Sequence, residues 1–261
     1  MLNQKLLKLF IFFSCFSLLL GELVNWDEKL LNSLPSWLIS FRVKNFAQNI
    51  TFKVHDDEKF LGSGTLMYRR DNQYFVVTNK HVLRSGKPPY QVKAPDGKFH
   101  EVLAPDLNTF PQEDLILLSF QSDNAKYKPP DFKDHAQMQI DEDVFAVGFP
   151  LETIKQETRQ SNLSTLTITQ GQITSIFSKP LLEGYQIAYS NDVRKGMSGG
   201  PLLNKTGRVV GVNGKQAYPL WDIPDLYQDK SPVDKSLQSL INRSSLAIPI
   251  TKALNFAAPP D

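Results

Sequence analysis

Cysteine is almost absent from this chain. Its 261 residues include one cysteine, Cys15, so a disulfide framework of the kind that holds small extracellular folds together is excluded. Cys15 lies in the middle of an apolar run and not after small residues at its end, so we do not interpret it as a lipid-attachment site. An exported chain without disulfides fits a bacterial periplasm or exterior better than an animal secretion.

An excess of charge of either sign is also missing. The formal net charge is +2, and no long block of basic residues occurs. We therefore expect neither nucleic acid nor an anionic membrane surface as a partner. The four histidines are not at metal-ligand spacing, and cysteine ligands are lacking. The sequence consequently predicts no metal and no cofactor.

The N-terminus has a composition of its own. Lys5 and Lys8 precede an apolar run over residues 9–21, which has the length of a signal-peptide core and is short for a membrane span. We interpret residues 1–21 as a signal peptide, which places the mature protein in the periplasm or outside the cell. An uncleaved anchor formed by residues 9–21 is the alternative, because the cleavage site is poorly defined.

Short strand-like runs separated by turn residues dominate the rest of the chain, after a mixed lead-in at residues 22–45. The runs are Asn49–His55, Phe60–Arg70, Tyr74–Asn79, Asp114–Phe120, Asp143–Pro150, Ser161–Phe177, Tyr185–Ser190, Pro201–Asn204 and Arg208–Gly214. This pattern predicts an all-β barrel or sandwich, and no alternation of strands with helices is visible. The one clear helix candidate is Ile248–Phe256, near the C-terminus.

A glycine-rich stretch, GMSGGP, surrounds one hydroxyl at Ser198. Glycine tolerates unusual dihedral angles and allows other groups to approach the backbone closely. Taken alone, such a stretch is more often an ordinary turn than the site of a nucleophile. A serine nucleophile needs a base within hydrogen-bonding reach, and that base needs a group to orient it.

The order of the histidines narrows the choice of fold. His55, His81, His100 and His135 all precede Ser198. The α/β-hydrolases, whose Gly-x-Ser-x-Gly motif also fits, require a histidine after the serine, so they are excluded. The orders His-Asp-Ser and Asp-His-Ser stay open, and the strand-rich pattern favours the first.

One histidine and one carboxylate stand out. His81 ends a buried strand, whereas His55, His100 and His135 fall near charged or polar turns, where we expect them to be exposed to solvent. Asp114 leads directly into the apolar run Leu115–Phe120. A charge so close to the core needs a partner, because burying it unpaired is costly.

Three segments in this order, VVTNKHV, EDLILL and GMSGGPLLN, resemble the trypsin-like serine proteases. The resemblance is greatest to the cysteine-free bacterial branch, namely cyanobacterial trypsin-like peptidases and Deg/HtrA protease domains. GSGTLM, AVGFP, TQGQITSI and RVVGVNG fit that branch as well, so the likeness covers about residues 45–257.

The resemblance implies a fold. It predicts two packed six-stranded antiparallel β-barrels of the chymotrypsin type, followed by a C-terminal helix. We expect the first barrel at residues 46–135 and the second at residues 136–257. Deg/HtrA proteins carry PDZ domains after the protease, and the barrel pattern here continues to about Phe256, so no PDZ domain is expected.

The resemblance also implies a site. By position, His81 is similar to the general base, Asp114 to the orienting acid and Ser198 to the nucleophile of the family. The N–H groups of Gly196 and Ser198 are similar to its oxyanion hole. The animal members insert a freshly cut Ile-Val-Gly-Gly terminus, and no such motif occurs here, so we expect activity without that step.

The specificity pocket is predicted less sharply. In trypsin-like enzymes it is lined by the segment before the serine and by a later strand, which correspond here to Ser190–Lys195 and to Val212, Asn213 and Gly214. Asp192 lies six residues before Ser198, where an acid selects Lys or Arg in trypsin. Arg194 and Lys195 are close enough in sequence to neutralise it.

The sequence thus predicts a serine endopeptidase with polypeptide substrates. A catalytically silent peptide-binding module on the same fold is one alternative. A protein quality-control protease that also binds unfolded chains is another, which the expected lack of a peptide-binding domain makes less favoured. Oligomeric state is not predicted.

Overall fold

The computed structural model describes residues 35–103, 109–123, 127–151, 165–218 and 225–257. By its internal contacts the chain divides into two compact units, residues 1–42 and residues 43–261. The predicted signal peptide, residues 1–21, lies outside the described residues. No helix within the described ranges is long and apolar enough to cross a membrane.

Twelve strands and four α-helices make up the described part of the chain. The strands are β1 Thr51–Asp56, β2 Phe60–Arg70, β3 Gln73–Thr78, β4 Tyr90–Lys93, β5 Phe99–Glu101, β6 Ile116–Gln121, β7 Asp143–Gly148, β8 Thr167–Ile176, β9 Ile187–Tyr189, β10 Pro201–Asn204, β11 Val209–Lys215 and β12 Ser245–Pro249. The helices are α1 Ser36–Ile50, α2 Lys80–Arg84, α3 Lys235–Asn242 and α4 Ile250–Ala257.

The strands form two antiparallel sheets of six. In the first sheet the order is β5-β4-β1-β2-β3-β6, and an isolated bridge between Leu103 and Ser119 joins its two edges. In the second sheet, β7 to β12 close into a barrel in the order β10-β11-β12-β9-β8-β7. The predicted all-β, chymotrypsin-like fold is confirmed, with helix α4 at the C-terminal end.

Each sheet has a core that follows from its alternating pattern. Strand β1 buries Phe52 and Val54 on one face, while Lys53 and His55 point to the other. In the first sheet, Phe120 stacks on Tyr74 with ring centroids 5.4 Å apart. The core of the second barrel is aliphatic apart from one ring, and consists of Met138, Val144, Ala146, Ile173, Ile187, Tyr189, Val193, Met197, Leu202, Val210 and Ala247.

Several elements were not anticipated from the sequence. Strands β4 and β5 lie in a polar stretch with turn residues. Strand β12 includes Ile248 and Pro249, the first two residues of the segment predicted to be helical, so the helix begins at Ile250 instead. Helix α3 begins after its N-cap residue Asp234, whose side chain accepts a hydrogen bond from the Leu237 N–H. The three strands are defined by pairing with residues distant in sequence, and helix α3 is defined by its N-cap. The periodicity of strands reveals neither feature.

Polar groups join the first sheet to the second. The Ser63 N–H of β2 donates to the Ser198 carbonyl at 2.9 Å, and the Thr65 hydroxyl donates to the Gly199 carbonyl at 2.9 Å. All of these groups are buried or nearly so. The glycine-rich turn therefore belongs to the second barrel by sequence and is bound by the first sheet.

Gly199 sits where no side chain fits, and we predict that Gly199→Ala destabilises the protein severely. Its φ is +87°, and a Cβ there would lie 2.0 Å from the Ser63 carbonyl oxygen and 2.2 Å from the Thr78 hydroxyl. Gly207 is the matched control, because its φ is +84° and its nearest neighbour, a Phe46 ring carbon, would be 3.6 Å away.

Chemical denaturation measures the difference between these variants. Both substitutions carry the cost of a left-handed alanine, about 1–2 kcal/mol, and Gly199→Ala adds the overlap with β2, at least about 2 kcal/mol more. Equal losses of unfolding free energy would show that the turn and the first sheet are not closely packed.

Candidate active site

A carboxylate and an imidazole are paired at the end of strand β3. His81 is the second residue of helix α2, and not the end of the strand as the sequence suggested, because β3 stops at Thr78. Its Nδ1 lies 2.5 Å from Oδ2 of Asp114, and its backbone N–H donates to Oδ1 at 3.0 Å. The Asp114 side chain is 1% exposed and that of His81 is 41% exposed. The imidazole therefore reaches solvent while its partner is buried.

Further donors surround the Asp114 carboxylate. The Tyr185 hydroxyl donates to Oδ2 at 2.8 Å, and the Arg84 guanidinium lies 3.3 Å from Oδ1. Burial alone raises the pKa of the Asp114 carboxyl, but hydrogen bonds from His81 and Tyr185 outweigh it and hold that pKa below its usual value. Asp114 is therefore an ionised, fixed acceptor at neutral pH.

Tyr185 is a site residue that sequence reasoning missed. It was placed only as the start of a strand, and it follows a 3₁₀ turn at Leu182–Gly184 instead. Its ring is fully buried, and it occupies the space next to Gly214: a Cβ at Gly214 would lie 2.3 Å from the Tyr185 hydroxyl. No local pattern marks this residue, because its partners are 71 and 29 positions away in sequence, at Asp114 and Gly214.

The glycine-rich turn carries Ser198 to the same region. A Cβ at Gly62 of β2 would lie 2.9 Å from the Val82 methyl groups and 3.3 Å from the Ser198 carbonyl oxygen. The Ser198 carbonyl and helix α2, which carries His81, therefore border the same small space at Gly62. In this structure the Ser198 hydroxyl donates to the Gly214 carbonyl at 3.1 Å and makes no hydrogen bond with His81.

Two backbone N–H groups of the turn have no hydrogen-bond acceptor within the part of the chain that the structure describes. Among the described residues, neither the Gly196 nor the Ser198 N–H donates a hydrogen bond. The Lys195 carbonyl accepts from the Leu151 N–H at 2.7 Å, and a trans peptide is planar, so the Gly196 N–H points in the opposite direction. Gly196 has φ of +94°, a conformation that favours glycine.

Ser63 fixes this turn from the first sheet. Its hydroxyl donates to the Gly196 carbonyl at 2.8 Å and accepts from the Phe149 N–H at 2.8 Å. Met197, between the glycine and the serine, is fully buried in the second barrel. The turn is therefore anchored on both sides by groups within the folded chain.

The predicted pocket residues lie in different environments. Val212, Asn213 and Gly214 are all buried, and the Gly214 carbonyl accepts the hydrogen bond from the Ser198 hydroxyl. The Asn213 amide is used by the barrel: its Nδ2 donates to the Val147 and Pro201 carbonyls, and its Oδ1 accepts from the Tyr189 hydroxyl. Asp192 has a side chain that is 73% exposed and pairs with Arg194 at 3.5 Å. This exposure does not favour a buried acid at the base of a pocket.

The prediction that the other three histidines are exposed is wrong. His55 packs against Phe60 and Phe99, with ring centroids 5.5 Å and 5.2 Å away. His100 stacks on Phe120 at 4.5 Å, and His135 is half-buried. Pairing of strands β1, β2, β4 and β5 brings His55 to its aromatic neighbours, and the bridge between Leu103 and Ser119 brings His100 to Phe120 of β6. The local polar sequence does not reveal these contacts.

Comparison with known proteins identifies the family. The model of the trypsin-like peptidase domain matches residues 62–212, more than half of the chain and a range that includes His81, Asp114 and Ser198. The chain belongs to the trypsin-like peptidase family.

The relatives of this trypsin-like peptidase domain agree with that assignment. The chain is 28% identical over 169 residues to the serine protease Do-like HtrA of Bacillus subtilis (strain 168), an alignment that covers 64% of this chain and 36% of that protein. It is 32% identical over 142 residues to a probable periplasmic serine endoprotease DegP-like of Bartonella henselae, covering 53% and 25%. The chain therefore spans about a third or less of the length of these relatives.

We predict that Tyr185→Phe destabilises this trypsin-like peptidase domain by about 2 kcal/mol at neutral pH, because a hydrogen bond to a buried carboxylate is lost. Asp114 has a lower pKa in the folded chain, so its contribution is present above the unfolded pKa of about 3.9 and is lost as the pH falls through the lower folded value. The loss in Tyr185→Phe should accordingly shrink in acid.

Tyr189→Phe is the matched control, since its buried hydroxyl donates to a neutral amide, Asn213. Its loss of about 1 kcal/mol should not depend on pH in this range. Denaturant titrations of the wild type and both variants at about pH 7 and about pH 3 give the comparison. A loss in Tyr185→Phe that is the same at both pH values would contradict the charge-assisted bond.

Proposed function

We propose that this chain is a serine endopeptidase that hydrolyses peptide bonds through Ser198, His81 and Asp114. The supporting observation is that Val82, the residue after the Asp114-paired His81, and the Ser198 carbonyl both lie within 3.3 Å of the position that a Cβ would take at Gly62, so the acid–imidazole pair and the Ser198 turn share one small region. A paired imidazole with one exposed nitrogen next to a serine on a glycine turn suits acyl transfer.

The chemistry starts with a rotation of the serine. The Ser198 hydroxyl leaves the Gly214 carbonyl and turns about its Cα–Cβ bond toward Nε2 of His81. His81 then takes the hydroxyl proton as Oγ attacks the peptide carbonyl, and it returns that proton to the leaving amine. Asp114 holds the imidazole in one tautomer and stabilises the imidazolium. Water, activated by the same histidine, releases the acyl group from Ser198.

The developing oxyanion is bound by the N–H groups of Gly196 and Ser198. Donors already aimed at the position of the charge lower the barrier without reorganisation, and loss of one costs about 10²–10³ in turnover in a related enzyme. Ser63 and Leu151 hold the turn from within the folded chain. We therefore propose that no newly cut N-terminus is needed to order the site.

The substrate is a polypeptide, and the site of action is outside the cytoplasm. Residues 1–21 serve as an export signal, or residues 9–21 stay as an anchor, and the mature protein acts in the periplasm or outside the cell. In support, a relative from Bartonella henselae is named a probable periplasmic serine endoprotease. Residues 46–135 and 136–257 are the two barrels in this proposal.

A second function is favoured by one observation. Because the Ser198 hydroxyl is bonded to the Gly214 carbonyl and not to His81, the domain is also suited to bind peptides without cleaving them. A probe that reacts only with an activated serine separates the two functions.

We predict that a fluorophosphonate probe labels the purified mature chain at Ser198. Ser198→Ala should give no adduct, and Ser236→Ala, which changes a serine of helix α3, should be labelled like the wild type. Asp114→Asn should lower turnover of a peptide substrate by about 10⁴, because the imidazole loses its fixed tautomer. Labelling is read by mass spectrometry of the digested protein.

Two results would contradict the peptidase. Absence of an adduct in the folded wild type would favour the silent binding module. Labelling restricted to chains whose N-terminus has been trimmed would refute activity without an activation cut.

A further inference from the structure

A row of residues crosses the first sheet from the Ser198 turn outward. Ser63 of β2 lies directly opposite Lys53 of β1, Lys53 lies opposite Lys93 of β4, and Lys93 lies opposite Phe99 of β5. Residues opposite one another in antiparallel strands share a face of the sheet. The side chains of this row therefore point to the same side as the Ser63 hydroxyl, which holds Gly196.

Exposure increases along the row. Ser63 is fully buried beneath the turn, Lys53 and Lys93 are half-buried, and Phe99 is 51% exposed. The Lys53 Nζ lies 4.7 Å from the centre of the Phe149 ring, and the Lys93 Nζ lies 4.9 Å from that of Phe99. Each ammonium group thus lies over an aromatic ring, and Phe149, the ring beneath Lys53, is next to Gly196.

The two lysines repel each other. Like charges directly opposite in a sheet repel, and burial together with the Lys93 charge lowers the pKa of Lys53. Among the described residues, neither lysine forms an ion pair with an acid. Asp56 of β1 instead accepts the Glu58 and Lys59 N–H groups.

The other titratable groups on this face leave the charge positive. His55 follows Lys53 on the same face, and burial first, then Lys53 and Lys93, lower its pKa to about 4, so it is neutral at pH 7. Glu101 lies opposite Gln91 in the neighbouring row and makes no ion pair with either lysine. A carboxylate on a bound ligand would relieve the repulsion.

The position of the row decides which part of a substrate it meets. Gly214, on the strand assigned to the residue before the cut, accepts a hydrogen bond from the Ser198 hydroxyl, whereas Phe149 and Ser63 contact Gly196. Strands are about 4.8 Å apart and an extended peptide rises about 3.3 Å per residue. If the first residue after the cut lies over Ser63, Lys53 and Lys93 meet the substrate about two to four residues beyond the scissile bond.

We propose that Lys53 and Lys93 form a subsite for a carboxylate on the leaving-group half of the substrate. This inference rests on the proposed peptidase function and names one class of its substrates, peptides that are acidic after the cut. The carboxylate comes either from an Asp or Glu side chain or from the C-terminus of a short substrate.

The test compares matched peptides. A sequence cut by the wild-type chain is taken from a random library, and Asp or Asn is placed at the second, third and fourth residues after the cut, with the C-terminus amidated. The wild type should cleave the best Asp peptide about fivefold faster than its Asn partner, the upper end of what a half-exposed ion pair contributes. In Lys53→Met/Lys93→Met the ratio should fall to about one.

The source of the carboxylate is tested in a second arm. The Asn peptide is synthesised with a free C-terminus and is shortened so that its terminal carboxylate lies two to four residues after the cleaved bond. A higher rate than for the amidated form, abolished in the double methionine variant, assigns the terminal carboxylate as the ligand. A preference confined to the Asp peptides assigns the side chain.

Further variants keep the result unambiguous. The ratio of the cleavage rates of the Asp and Asn peptides is unaffected by a general loss of activity. The Lys53→Glu/Lys93→Glu variant should cleave peptides with Lys at these positions faster than peptides with Asn. Lys235→Met, on the exposed start of helix α3, should keep the wild-type ratio. A wild-type ratio of one, or a preference that survives in the methionine variant, overturns the subsite. Failure of the wild type to cut any peptide overturns the peptidase proposal instead.

Discussion

The hydroxyl of Ser63 is the constraint on which the candidate site depends. It donates to the Gly196 carbonyl and accepts from the Phe149 N–H, both at 2.8 Å, so one oxygen of the first sheet fixes two segments of the second barrel. The direction of the Gly196 N–H is set by the preceding peptide, whose Lys195 carbonyl accepts from the Leu151 N–H close to Phe149. The conformation of the turn that carries Ser198 consequently depends on the association of the two sheets.

The buried charge of Asp114 is likewise stabilised by a few neighbouring groups. The carboxylate is almost fully enclosed, and it is compensated by His81 and Tyr185 and by the guanidinium of Arg84. An enclosed carboxylate with fewer donors would have a raised pKa and would take up a proton. The donors that stabilise the fold are thus the same groups that keep the acid ionised for its proposed role in catalysis.

The sequence revealed those features that are local. Alternation along β1, β2 and β3 predicted strands, and the order of His81, Asp114 and Ser198 pointed to a chymotrypsin-like fold, because motif and order need no coordinates. Contacts between residues that are distant in the sequence could not be predicted in this way. Tyr185 meets Asp114 only in the folded chain, and the burial of His55 depends on Phe99 from a strand that the polar sequence hid.

The contact between Tyr185 and Gly214 couples two distant positions of the chain. A side chain at 214 would overlap the phenol ring, since a Cβ there would stand 2.3 Å from the hydroxyl. A side chain at 214 therefore requires a residue smaller than tyrosine at 185, so the two positions constrain each other although they lie far apart in the chain.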